Sequence, residues 1–302
     1  MEHFTWLIPF LWLIPLGFFV GTFGTLIGAG GGFILVPVLL LIYPHDRPET
    51  ITSISLAVVF FNALSGSVAY AKMKRVDFKS GWMFALATIP GSILGAWNVT
   101  FIPRRWFDLL FGVLLLLVSV FLLIRPDSKK SNQRHDFSKN TSSSQPSTAS
   151  GDSEIVATKA GHGLTRRHMM DAEGISYLFS YNKVLGIVLS VGVGYLSSLL
   201  GIGGGIIHVP VLVHLLNFPV HIATATSHFV LSIMALSGSL THLATGVLQK
   251  GISQTIGLGI GAIIGAQLGA KLSKKFHGKL IIQCLAIALL LVGVRIFIMG
   301  LL

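Results

Sequence analysis

The chain has 302 residues, of which 52% are hydrophobic and 11% charged. A soluble domain carries roughly 25% charged residues, so the composition excludes a water-soluble globular protein and points to a polytopic membrane protein. Lysine and arginine number 22 against 11 acidic residues, a net charge of +11. No basic helix or aromatic-interleaved patch stands outside the apolar segments, so the excess reads as loop topology and not as a nucleic-acid footprint.

Taken in order, the first apolar stretch is Phe4–Tyr43. The start lacks the basic region of a cleaved signal and reads as part of the first span. Forty residues reach at most about 60 Å as helix, enough for a hairpin that returns to the side it left. Spans follow at Ile51–Ala71, Gly81–Phe101 and Trp106–Ile124. The chain then turns polar through 125–182. Ser128 to Gly163 cannot offset its ordering entropy and is expected to be disordered; Ile175–Tyr181 is expected to form a short interfacial element. Apolar chain resumes at Val184–Phe218, Ile222–Leu248, Ile252–Leu272 and Leu280–Leu301. The expected fold is an all-α membrane bundle of about eight long spans and up to ten segments. Its parts are a first membrane repeat at 1–124, a linker at 125–182 and a second repeat at 183–302. The single cysteine, Cys284, sits in an apolar segment and excludes an internal disulfide.

The two apolar halves repeat each other. Gly21–Pro37 matches Gly194–Pro210 at an offset of 173, Leu64–Ser67 matches Leu236–Ser239 at 172, and Gly91/Gly95 match Gly261/Gly265 at 170. Ordered, nearly constant offsets indicate an internal duplication. Loop charge then sets its sense. The 72–79 loop holds Lys72, Lys74, Arg75 and Lys79, and the 271–279 loop holds Lys271, Lys274, Lys275 and Lys279. The counterparts are poor: Lys250 in 248–251, and Arg104 and Arg105 in 101–105. Both rich loops and the linker share one face only if the halves are inverted. Inverted-topology repeats, a cytoplasmic linker and two extracytoplasmic termini are therefore expected.

The informative motif is G-x-G-G-G followed five residues later by proline, at Gly28-Ala-Gly30-Gly31-Gly32 with Pro37 and at Gly201-Ile-Gly203-Gly204-Gly205 with Pro210. Each glycine in a helix interior costs about 1 kcal/mol against alanine, so three in a row break the helix. Irregular backbone at membrane depth survives only where it is buried in protein or lines a cavity. Helices that restart at Gly32 and Gly205 present free N–H groups and a partial positive charge. Two such ends meeting make an anion site without a cationic side chain. Gly28, Pro37, Gly201 and Pro210 are assigned to shaping the hairpins. Tight helix packing is the alternative use of small residues, and it is the preferred reading of Gly91/Gly95, Gly257/Gly261 and Gly261/Gly265.

The acidic residues agree in sign. Asp46, Glu49, Asp77, Asp108 and Asp127 sit in loops or at span ends, and no carboxylate lies mid-span, which argues against a cation as main substrate. Arg125 and Arg295 lie near span ends, where arginine snorkels. Ser55 and Asn62 in the first half and Ser227 and His228 in the second can hydrogen-bond an oxyanion; interhelical bonding, worth about 0.6 kcal/mol per bond, is the equal alternative. His208, His214, His221, His228 and His242 all fall in the second half. Their spacing follows no metal-ligand pattern, so no metal and no cofactor are expected. His208 and His228 are candidates to carry a proton with the anion.

On these residues, above all Gly194–Pro210 with Ala223-Thr-Ala-Thr-Ser-His228 and the matching Gly21–Pro37, the chain resembles the sulfite exporter TauE/SafE family of membrane permeases. The likeness covers both apolar halves and leaves out the linker. The first half departs from it, reading Thr52-Ser-Ile-Ser55 at the matching place. The resemblance implies transport, mostly export, of sulfite, sulfonates such as sulfoacetate, or related small sulfur anions across the bacterial inner membrane. The substrate-binding set expected is Gly30, Gly31, Gly32, Ser55, Asn62, Gly203, Gly204, Gly205, His208, Ser227 and His228. The partners are the small anion and the lipid bilayer, with no nucleic acid; the oligomeric state is open, a homodimer included. Two alternatives remain at this point: a membrane-anchored sensor or scaffold acting through the linker, and a proton-coupled importer of another small anion. An intramembrane enzyme is disfavoured, because no buried carboxylate orients a histidine as a triad needs.

Overall fold

The computed structural model describes residues 11–124, 164–273 and 279–301. Several expectations fall outside these residues: the disorder of 128–163, the first residues of the hairpin, Lys274, Lys275, Arg125 and Asp127. Helix α1 spans Leu13–Ile27 and α2 spans Gly32–Ile42. They are followed by α3, Pro48–Lys72; α4, Phe78–Asn98; and α5, Arg104–Ile124. The second half repeats the series as α6, Lys183–Leu200; α7, Gly205–Pro210; α8, Val220–Ala244; α9, Ile252–Leu272; and α10, Lys279–Leu301. Helices α3, α4, α6, α8 and α9 are long and apolar enough to cross a bilayer, and shorter apolar helices accompany them. The chain is a multi-pass helical membrane protein.

Local chemistry sets the ends. Pro48 occupies the first turn of α3, where its missing N–H is no loss. Asp77 caps α4 by accepting from the Ser80 N–H at 3.3 Å, and Asn182 caps α6 by accepting from the Val184 and Leu185 N–H groups. α1 and α6 end on Gly28 and Gly201 in the left-handed region, at φ 86° and 69°. The helices after the breaks start from Gly31 and Gly204, also left-handed at φ 83° and 72°. A side chain at these positions is strained whatever space surrounds it. Pro37 lies inside α2. Pro210 ends α7, and a single π-helical turn, Val211–Leu215, follows it.

The halves interlock. α1 packs along α9, α4 along α6, α3 along α8 and α5 along α10. Gly17 and Gly21 bring α1 against the Leu258 and Ala262 backbone, and Gly261 and Gly265 return the contact to Ile14 and Phe18. Gly91 and Gly95 meet Val191 and Tyr195 in the same way, so the G-x-x-x-G pairs do serve close backbone approach. The directions follow from the pairs. α1 and α9 run parallel. α3 and α8 run antiparallel, with Gly66 beside His228 and Gly238 beside Leu56; α5 and α10 do likewise, with Gly112 beside Phe297 and Gly300 beside Leu109.

Residues Leu164–Asn182, drawn from sequence as polar linker, form an antiparallel hairpin of β1, Leu164–Met170, and β2, Ser176–Asn182. Strand β2 covers the stretch expected to be interfacial. The hairpin docks on the loop between α3 and α4. Ala172 N–H donates to the Met73 carbonyl at 3.0 Å, Arg75 pairs with Asp171 at 3.5 Å and Glu173 at 3.4 Å, and Arg167 forks onto both oxygens of Asp77. Phe179 and Tyr181 pack on Phe218. The linker and the basic 72–79 loop therefore share one end of the bundle. Ala270 of α9 packs with Tyr70 and Val76 at that end. Arg105 donates to the Gly300 and Leu301 carbonyls at the other.

Candidate functional site

The two glycine breaks abut. A methyl group placed on Gly32 would lie 2.6 Å from the Ile202 carbonyl carbon and 2.7 Å from the Gly201 carbonyl oxygen. On Gly205 it would lie 2.5 Å from Ala29 Cα. Only hydrogen fits between these backbones, so Gly32 and Gly205 are required by close approach and not by conformation. The first N–H groups of α2 and α7 thus lie within one neighbourhood of the bundle. Helices α3 and α8 flank it: Gly28 faces Thr224, and Gly201 faces Thr52. Ser55 donates to the Gly201 carbonyl at 2.6 Å, which fastens α3 to the end of α6.

A buried polar group lies beside the first break. Thr25 donates to Asn62 Oδ1 at 3.0 Å, and His228 Nε2 stands 3.3 Å from Thr25 Oγ1. With the Thr25 hydroxyl proton donated to Asn62, the His228 contact is satisfied by the tautomer that carries its proton on Nε2. Tyr70 donates to the Thr25 carbonyl at 2.8 Å and meets the His228 ring edge-on at 5.5 Å between centroids. Asn62 Nδ2, His228 Nδ1 and Ser227 Oγ are buried with no protein partner. Leaving such a group unpaired costs about 1–3 kcal/mol, so each calls for a water or a solute. Tyr70→Phe deletes the hydroxyl and takes one of two donors from the Thr25 carbonyl. The Gly28 N–H still reaches that carbonyl at 3.1 Å, so a loss of about 0.5–1.5 kcal/mol is expected, and unchanged thermal unfolding in detergent would show the bond to be idle.

His208 lies elsewhere. It is 1% exposed, both ring nitrogens lack a partner, and it stands edge-on to Phe84, which also contacts Tyr181 and Phe218. The structure thus brings Gly30–Gly32, Gly203–Gly205 and Ser55 to the breaks and Asn62 and His228 beside the first of them, buries Ser227 next to His228 on α8, and sets His208 in the aromatic cluster beneath the β-hairpin. No cluster of metal-ligating side chains occurs among the described residues.

Sequence places Tyr70 among the polar residues that line the spans and Leu231 on the same helical face as Ser227 and His228, but puts neither, nor Thr25 or Val59, in the substrate-binding set. The signal for them was the repeat register. Thr25 matches Ser198 at the offset of 173, both three residues before the glycine that ends a helix, and Val59 matches Leu231 at 172.

A family model described as sulfite exporter TauE/SafE matches residues 13–296. The chain is 32% identical over 245 residues to "Probable membrane transporter protein YunE" of Bacillus subtilis, covering 79% of this chain and 80% of the relative. It is 27% identical over 244 residues to a "Probable membrane transporter protein" of Methanocaldococcus jannaschii, covering 78% of this chain and 74% of the relative. A shorter match, 31% over 98 residues, is to a "Probable membrane transporter protein" of Xylella fastidiosa, covering 32% of this chain and 38% of the relative. No solved structure gives a significant match.

Proposed function

We infer what this chain does from one premise: it belongs to the sulfite exporter TauE/SafE family of membrane transporters. Our reading is a secondary transporter of the bacterial inner membrane that exports a small sulfur-containing anion, sulfite or an organosulfonate such as sulfoacetate. The observation that carries it is the abutment of the two glycine breaks, Gly28–Gly32 against Gly201–Gly205. The helix starts there suit an anion without a cationic side chain. Asn62 Nδ2 and Ser227 Oγ, buried and unpartnered, supply further donors to its oxygens.

The antiparallel course of α3 against α8 and α5 against α10 supports inverted halves that rock about the breaks to alternate access. The basic 72–79 loop at the hairpin's end of the bundle supports a cytoplasmic linker and extracytoplasmic termini. With the inside negative, the membrane potential contributes about 2.3 kcal/mol per charge per 100 mV to outward movement of an anion. A monoanion exporter then needs no coupling ion.

The test is thermal unfolding of purified protein with sulfite, sulfate, thiosulfate, sulfoacetate, taurine, acetate and chloride, joined to efflux from proteoliposomes. One sulfur anion is expected to stabilise by about 2.7 kcal/mol at a hundredfold excess over its Kd and to leave faster under an inside-negative potential. Folded protein stabilised by none of them would sink the reading.

A further inference from the structure

A small apolar cluster stands against the breaks. Val59 of α3 and Leu231 of α8 occupy matching repeat positions, are fully buried, and pack with Ala63 and Ala235, a second matching pair. Their branched side chains cover the glycine faces. A methyl on Gly203 would lie 2.6 Å and 2.9 Å from the two Val59 γ carbons. On Gly30 it would lie 2.7 Å from Leu231 Cδ2 and 3.2 Å from Val59 Cγ1. Val59 thus touches the neighbourhood of both breaks at once.

An anion that places its oxygens on the helix starts and on Asn62 must set the rest of its body against these side chains. We propose that Val59 and Leu231 are the specificity-determining residues of the transporter, limiting the bulk of the group attached to the oxyanion. This rests on the reading that the breaks hold the anion. The alanines at 63 and 235, one turn along each helix, leave the branched pair as the widest apolar side chains of the cluster apart from the partly buried Phe60. The limit is steric: one methylene in an apolar pocket is worth about 10–200-fold in selectivity.

The experiment measures uptake into inside-out vesicles for sulfite and for unbranched alkanesulfonates from methanesulfonate to butanesulfonate. Wild type is expected to fall away along the series. Val59→Ala and Leu231→Ala are each expected to raise kcat/KM for the longest member at least about tenfold relative to sulfite, and Val59→Ile to shorten the accepted series. Leu231→Val and Val59→Ile keep the cluster filled, so the comparison survives if an alanine variant does not fold. Selectivity unchanged in every folded variant would overturn the proposal and leave transport at the breaks standing. A wild type that moves none of these anions would overturn both.

Discussion

Gly205→Leu is expected to yield no folded transporter, and Gly205→Ala to lose about 1–3 kcal/mol or more of stability. The added Cβ falls 2.5 Å from Ala29 Cα and 2.7 Å from the Ala29 carbonyl carbon. These are backbone atoms of the opposite break, and no rotamer change moves them. The breaks must separate or the chain must refold around them. Gly192→Ala is the internal control, because nothing stands within 4 Å of a Cβ there. In the middle of α6 it is expected to be neutral or to stabilise by up to about 1 kcal/mol through helix propensity. Thermal unfolding in detergent separates the two. Equal behaviour of the Gly205 and Gly192 variants would mean that the abutment contributes nothing.

Arg167→Ala is expected to free the β-hairpin from the bundle. Asp77 is 2% exposed and caps α4, and removing the guanidinium leaves a buried carboxylate held by Ser80 without its ion-pair partner, a loss at the low end of about 3–5 kcal/mol. Burial pushes the Asp77 carboxyl up, but the Arg167 hydrogen bonds, the Ser80 hydrogen bonds and the guanidinium charge outweigh it and hold it below the ordinary value. A carboxyl whose docked value is depressed contributes stability that is present above the undocked value, about 3.9, and lost as pH falls through the docked one. Docking is therefore expected to persist through neutrality and weaken below about pH 4. Hydrogen exchange across 164–182 reads this: fast exchange in Arg167→Ala at neutral pH, and in wild type only under acid. Protection unchanged in the variant would place the hairpin's stability in Phe179 and Tyr181 instead.

The breaks were legible because glycine, unlike most residues, reports backbone geometry directly. Three glycines after an apolar run fix where α1 and α6 end and where α2 and α7 begin, and the helices start at Gly32 and Gly205 as the motif expects. The spans were legible from hydropathy to within a few residues. The hairpin was not. Leu164–Asn182 alternates weakly, with arginine and histidine on β1, and its order comes from partners at 73–80 and 218 that no local pattern reveals. The polar group beside the first break was half legible. Asn62, Tyr70 and His228 stand out by type, whereas Thr25 looks like an ordinary span residue until folding brings α1, α3 and α8 together. His208 shows the converse: its place in sequence, three residues beyond the glycines, says nothing of the turn of α7 that aims its ring at Phe84.

The crossed packing of the halves bears on how the chain is made. Gly17 meets Leu258 and Gly21 meets Ala262, so α1 lacks its most extensive packing partner until α9 leaves the ribosome. At about 5–20 residues per second that interval is on the order of ten to fifty seconds. Gly28, Ala29 and Gly30 bond their N–H groups back to the Thr25 and Gly24 carbonyls, but the first break has no second break against it until Gly201–Gly205 is made, and the glycine face of α1 stays uncovered until α9 follows. The nascent first half must wait beside the insertion machinery or another protein surface, and the duplication that builds the site also delays its completion to the end of synthesis.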